Sequence, residues 1–226
     1  DRVCNRMLEL VDRFHIRGFL YRDPEVSTVV KLRVIGRQQQ LLRIDFERPP
    51  SEAVLRDKLS RFQALLPECD VAVLSDYAKG TLVNVAEMIA AARQLGKPVL
   101  VDPKGEDFSR YQGATLLTPN KGELRQVVGS WRNEEELTVK AQQLREQLKL
   151  DALLLTRSEE GMTLYTPEST VHFEAQAREV YDVSGAGDTV IATLATSLAA
   201  GLSLQEAVAL ANRAGGIVVG KLGTSV

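Results

Sequence analysis

Cysteine and histidine are scarce in this chain: two of each in 226 residues. Cys4 and Cys69 have no C-x-x-C spacing and no histidine partners, so a disulfide framework or a zinc site has little support. An excess of charge of either sign is missing too. The 28 basic and 30 acidic side chains leave a formal charge of −2, and they are interspersed, which argues against a nucleic-acid-binding face and leaves room only for a local phosphate pocket. No run of about 18 apolar residues occurs, and no basic segment followed by an apolar run stands at the start. A cytoplasmic protein without membrane partners is therefore expected. Internal repeats and low-complexity linkers are absent as well, so residues 1–226 are read as one domain. There is no G-x-x-x-x-G-K-[ST] loop.

What is present is a regular alternation. Val3, Met7, Leu8, Leu10, Val11 and Phe14 form a helical stripe ending at Gly18. Segments 28–35 and 40–46 read as strands joined by a turn at 36–39, and Pro49-Pro50-Ser51 opens a helix over 51–66. Strands are then expected at 71–75, 98–102, 115–118 and 152–156, helices at 81–95, 121–128, 134–148, 186–200 and 204–219, and a hairpin over 161–175. Short apolar strands between amphipathic helices predict an α/β fold with a largely parallel sheet covered on both faces. Ligands of such sheets bind at the strands' carboxyl ends. Asp76, Asp102, Lys104, Asn120 and Thr156–Ser158 all fall there.

The most informative stretch is Asp182-Val-Ser-Gly-Ala-Gly-Asp188, followed by a small, apolar helix. Gly185 and Gly187 free the backbone to aim successive N–H groups into one concavity, and the helix adds its positive end. A phosphoryl group in transfer fits such a place. Asp188 falls in the first turn, where the helix dipole favours its charged form, which suits it to take a proton from a hydroxyl. The same string also reads as an Asx or Ser turn before an ordinary helix start.

Taken in order, these segments resemble the ribokinase-like carbohydrate kinases of the PfkB family, across most of the chain. Asp182–Asp188 is similar to that family's D-x-x-G-A-G-D signature. The resemblance implies a three-layer α/β/α fold with a small β lid, here a hairpin over about 28–46. It implies Asp188 as catalytic base and Gly185, Ala186 and Gly187 as anion hole for the transferring phosphoryl group. Thr118-Pro-Asn-Lys-Gly-Glu123 resembles the N-x-x-E element, which assigns Asn120, Lys121, Gly122 and Glu123 to ATP and lets Asn120 and Glu123 organise Mg²⁺ through water. Asn120 as helix N-cap with Glu123 three residues on is the purely structural alternative. Thr156-Arg-Ser-Glu-Glu-Gly161 is similar to the T-x-G-x-x-G nucleotide turn, with Ser158 where glycine is common. Thr156, Ser158 and Gly161 then face ATP, and Arg157 is placed to reach a phosphate. Alternatively the segment is a hairpin turn with Glu159 and Glu160 solvated. Asn212 takes a position that faces adenine in relatives, or else a solvated helix position. Asp182 and Ser184 with Gly223 and Ser225 resemble a K⁺ site.

For the acceptor, Ser75–Gly80, Val101–Gly105 and Arg37–Gln40 are similar to members that phosphorylate an already phosphorylated sugar, which implies Asp76, Lys79, Lys104, Arg37 and Gln39 as substrate residues. Lys104 is equally placed for ATP phosphates, and Arg37 for an exposed turn. Other sugars or nucleosides, or a non-catalytic nucleotide-binding piece, are the competing readings. Relatives begin with a strand and a Gly-Gly-Ala-Asn segment that close on the sugar, and neither occurs here, so part of the sugar pocket is expected to lie outside this chain. The HxGH nucleotidyltransferase motif that some relatives carry in a second domain is also absent. Relatives pair through lid strands, which makes a homodimer through the 28–46 hairpin the expected assembly.

Overall fold

The computed structural model describes residues 2–21, 23, 26, 28–36, 39–176 and 181–221. Two compact units emerge: 1–61 with 79–83, and 62–78 with 84–226.

The first unit holds helix α1 (Arg2–Arg13), the hairpin β1 (Val30–Gly36) and β2 (Gln39–Phe46), and most of α2 (Glu52–Leu65), within which the boundary falls. Gly18 is required by a close approach, because a Cβ there would stand 2.5 Å from Val11 Cγ1. The β1/β2 register sets Val30 opposite Phe46, Leu32 opposite Ile44 and Val34 opposite Leu42, with an irregularity after Val34. Side chains two apart share a face, so these six form one apolar face. All six are exposed.

The second unit is built on a six-stranded sheet in the order β3 (Ala72–Ser75), β4 (Val99–Asp102), β5 (Leu116–Leu117), β6 (Ala152–Thr156), β7 (Met162–Tyr165) and β8 (Thr170–Phe173). Strands β3 to β6 run parallel; β7 and β8 return antiparallel. Leu100, Leu116, Leu154 and Leu164 pack on one face against Val190, Ile191 and Leu194 of α6 (Ala186–Ala199) and Ala207, Val208 and Ala211 of α7 (Leu204–Val219). Helices α3 (Val85–Gln94), α4 (Lys121–Val128) and α5 (Glu134–Gln147) complete the unit, with α3 against β4, α4 against β6, and α5 against β6 and β7. The alternation of side chains along β4 and β6 turns Val99, Val101, Leu153 and Leu155 away from α6 and α7, and all four are fully buried.

Local chemistry explains the last two helices. α6 carries three threonines, and each hydroxyl bonds a carbonyl four residues back: Thr189 to Gly185, Thr193 to Thr189 and Thr196 to Ala192. α7 starts in a reciprocal Ser203–Glu206 capping box. Gly215 lets the two approach, since a Cβ there would lie 3.2 Å from Val190 Cγ2.

The expected elements all occur, with one shifted start. The helix expected over 81–95 begins at Val85, because Thr81–Asn84 form a turn after Gly80, whose φ of +80° breaks any earlier helix. Strand β5 is two residues long, shorter than the 115–118 expected, since Thr118 leads directly into the α4 cap.

Candidate active site

The carboxyl ends of β3 to β6 and the start of α6 gather the candidate residues of the second unit. At α4, Asn120 Oδ1 accepts the Glu123 N–H at 2.9 Å and Glu123 Oε2 accepts the Asn120 N–H at 3.0 Å, so the capping box is formed. The remaining Glu123 oxygen takes Lys104 Nζ at 2.7 Å. Glu123 is buried, and its contact is the first cause holding the Lys104 ammonium above its ordinary pKa. Lys121 Nζ donates to Glu160 at 2.6 Å. Gly122 has only Asn120 Oδ1 within 3.1 Å of the place a Cβ would take.

The start of α6 is built otherwise. Gly185 is the N-cap at φ +78°, a left-handed conformation that costs other L-residues about 1–2 kcal/mol, and no side chain caps the helix. Ala186 N–H turns back to the Val183 carbonyl at 3.2 Å. Gly187 and Asp188 lie within the first turn, where amides have no partner inside the helix. Beyond its own helical turn, a Cβ on Gly187 would meet nothing among the described residues within 4 Å, so the space before it is open. Asp182 Oδ1 accepts the Ser184 N–H at 2.9 Å, which shapes the loop leading in. Gly223 and Ser225, the other members of the expected K⁺ site, lie outside the described residues, as does Arg37.

Asp188 is exposed at the rim and accepts the Tyr77 hydroxyl at 3.1 Å. Asp102 stands near it. Burial, then the Glu123 and Asp188 carboxylates, push the Asp102 pKa up to about 6, with Lys104 opposing. Asp76 is deeply buried, accepting the Ala78 N–H and the Tyr111 hydroxyl, both at 2.8 Å, with Arg110 at 3.6 Å. In the first unit Lys79 pairs with Glu47 at 2.6 Å, and Gln39 opens β2, exposed.

Asn120, Thr156, Ser158, Gly161, Ala186, Gly187 and Asn212 line one cavity of about 370 Å³. Ser158 has φ +55°, which explains why glycine suits that place. Gly161 has no substitute: a Cβ would stand 2.0 Å from the Phe173 carbonyl. Asn212 is buried and donates to the Glu174 carbonyl at 2.7 Å, so the solvated alternative is corrected. Two further expectations change. Arg157 is buried and does not reach outward; its guanidinium forks onto both Glu134 oxygens at 2.7 and 2.6 Å and onto Glu160, and its pKa is raised by these contacts. Glu160 is accordingly held between Arg157 and Lys121 instead of being solvated, while Glu159 is exposed.

Sequence reasoning missed Tyr77 and gave Asp102 no role. Asp102 stood in view at a strand's carboxyl end, but no spacing rule ties Tyr77 to a residue 111 positions away.

A mostly parallel α/β sheet with an uncapped, glycine-led helix start at its carboxyl rim defines a ribokinase-like fold. Solved ribokinases from Thermotoga maritima and Giardia lamblia superpose on it with TM-scores of 0.79 and 0.80, each over 99% of this chain and 73% and 76% of theirs, at 21% and 17% identity. The family model for pfkB carbohydrate kinases matches residues 5–226. The chain belongs to the pfkB family of carbohydrate kinases, which implies ATP as phosphoryl donor. It is 55% identical over its whole length to a D-beta-D-heptose 7-phosphate kinase of Bordetella bronchiseptica, of which it spans 72%. It is 56% identical to a bifunctional protein HldE of Methylococcus capsulatus, of which it spans 48%. Among the described residues no helix is long and apolar enough to cross a membrane.

Proposed function

We propose that this chain transfers the γ-phosphoryl group of ATP to the anomeric hydroxyl of D-glycero-β-D-manno-heptose 7-phosphate, giving the 1,7-bisphosphate for ADP-heptose and lipopolysaccharide core assembly. The observation that carries this reading is the 55% identity along the full chain to the Bordetella heptose 7-phosphate kinase, and the Asp182–Asp188 loop leads into α6 at the sheet's rim.

In this reading Asp188 accepts the proton of the anomeric hydroxyl as its oxygen attacks the γ-phosphorus, and the β–γ bridging oxygen leaves with ADP. The Gly185–Gly187 segment and the α6 start stabilise charge on the phosphoryl oxygens, and the cavity through Thr156, Ser158, Gly161 and Asn212 holds the nucleotide. Positioning supplies most of the rate. Asn120 and Glu123 would hold Mg²⁺ through its waters, since their side-chain oxygens already take the cap N–H groups and Lys104. Such an ion supplies neutralisation of phosphate charge. Asp182 and Ser184, with Gly223 and Ser225, are the proposed K⁺ residues. Lys104, Lys79, Arg37 and Gln39 are the proposed acceptor-side residues, the cations among them answering the sugar's own phosphate, and Asp76, buried with its oxygens on Ala78 and Tyr111, is proposed to act behind them by shaping the Ser75–Ala78 segment.

Residues 1–226 act in this proposal as one kinase domain, pairing with a second copy through the hairpin. The apolar face Val30, Leu32, Val34, Leu42, Ile44 and Phe46 supports this, because an exposed face of that kind ordinarily marks an interaction site. Sedimentation of the full-length protein tests it.

The substrate assignment is tested by comparing turnover of the heptose 7-phosphate with that of the sugar lacking the 7-phosphate. Equal kcat/KM for the two would overturn the heptose phosphate reading and favour another acceptor.

A further inference from the structure

The segment after β3, Ser75-Asp-Tyr-Ala78, is built around a buried carboxylate. Asp76 has almost no exposure, and its own N–H donates to the Asp102 carbonyl at 3.0 Å, which continues the sheet by one residue. Its side chain accepts the Ala78 N–H and the Tyr111 hydroxyl, and Arg110 stands behind it. Ala78 is thereby held at φ +53°, a left-handed conformation that a residue with a Cβ adopts only when its surroundings impose it. The chain is therefore bent at a fixed place, and the residue inside the bend is Tyr77.

Packing does not account for Tyr77. The residue is 57% exposed, yet its hydroxyl donates to Asp188 Oδ1 at 3.1 Å. Partial burial first, and Asp188 further, hold the phenol above its ordinary pKa against the Ser75 contact that lowers it, so it remains a donor. A carboxylate has two oxygens and rotates freely unless something holds it. With Oδ1 taken, Oδ2 is left for an acceptor hydroxyl.

We infer that Tyr77 is a positioning residue for Asp188: the Asp76-anchored bend presents the phenol so that it fixes one carboxylate oxygen and aims the other at the acceptor hydroxyl. This rests on the reading of Asp188 as the base. It follows the arrangement in which a base is oriented by a third group.

The test uses the full-length protein with Tyr77→Phe, which keeps the ring, and Asp188→Asn beside it. For Tyr77→Phe, kcat falls about tenfold while KM for ATP and for the sugar stays within about twofold, as expected for an interaction used in the transition state. Tm stays within about 2 °C of wild type, because Tyr77 is largely exposed. A structural role alone would lower Tm and would not leave both KM values in place while kcat falls. Wild-type kcat, or a change confined to the sugar KM, overturns the proposal while an inactive Asp188→Asn leaves the base reading standing. An active Asp188→Asn sinks both.

Discussion

Two helix starts meet at the rim of this site, and they are finished in opposite ways. α4 is closed by its own side chains: Asn120 and Glu123 cap each other, and Lys104 takes the oxygen left over. α6 has no side-chain cap; Gly185 bends left-handed, and an open space stands before Gly187. A helix that closes itself gains stability and offers a ligand little. One that leaves amides unmet forgoes about 1 kcal/mol of capping and keeps its positive end for an anion. The contrast separates a start that organises the site from one that receives the phosphoryl group.

The largest effect that sharpens this contrast is expected at Asp188. Asp188→Asn lowers kcat by about 10²- to 10⁴-fold, since it removes the base but leaves the α6 amides in place. ATP affinity, measured by calorimetry, stays within a few-fold of wild type. At the closed start the effect is on stability. Asn120→Ala removes the cap and costs about 1 kcal/mol, read as a lower midpoint in urea with an unchanged slope.

Asp102, between the two starts, gives a smaller and pH-dependent effect. Its pKa is raised from 3.8 to about 6 in the folded protein. Between those values the folded state holds a proton that the unfolded chain has released, so the group's contribution to stability is lost as pH rises through about 6. Asp102→Asn is therefore expected to raise Tm at pH 7.5, with the gain shrinking as pH falls through about 6 and gone by about 4. A constant gain at all pH values would show that the carboxylate's charge is not its cause.

Much of this was legible in the sequence, because the signals were local. The strand and helix alternation rests on periodicity, and the left-handed Gly185 and the Asn120–Glu123 box rest on residues a few positions apart. The helix start at Val85 was misplaced because a turn of Thr81–Asn84 has the same polarity as a first helical turn. What stayed hidden depends on distance along the chain. Arg157 reads as a free cation until Glu134, 23 residues away, is folded onto it. The Tyr77–Asp188 contact joins the segment after β3 to α6, and Asp102 gains its raised pKa from burial and from carboxylates brought in by two other elements.

The open α6 start is tested most directly by Gly187→Ala, with Tm and kcat measured on the same preparation. Beyond its own helical turn a methyl there meets no atom of the described residues within 4 Å, so Tm should stay within about 2 °C of wild type, a change of under about 1 kcal/mol. The same methyl stands where the phosphoryl group must approach, so kcat should fall at least about tenfold. Wild-type kcat with an unchanged Tm would contradict the account, because the space before Gly187 would then not be the place where phosphate is transferred.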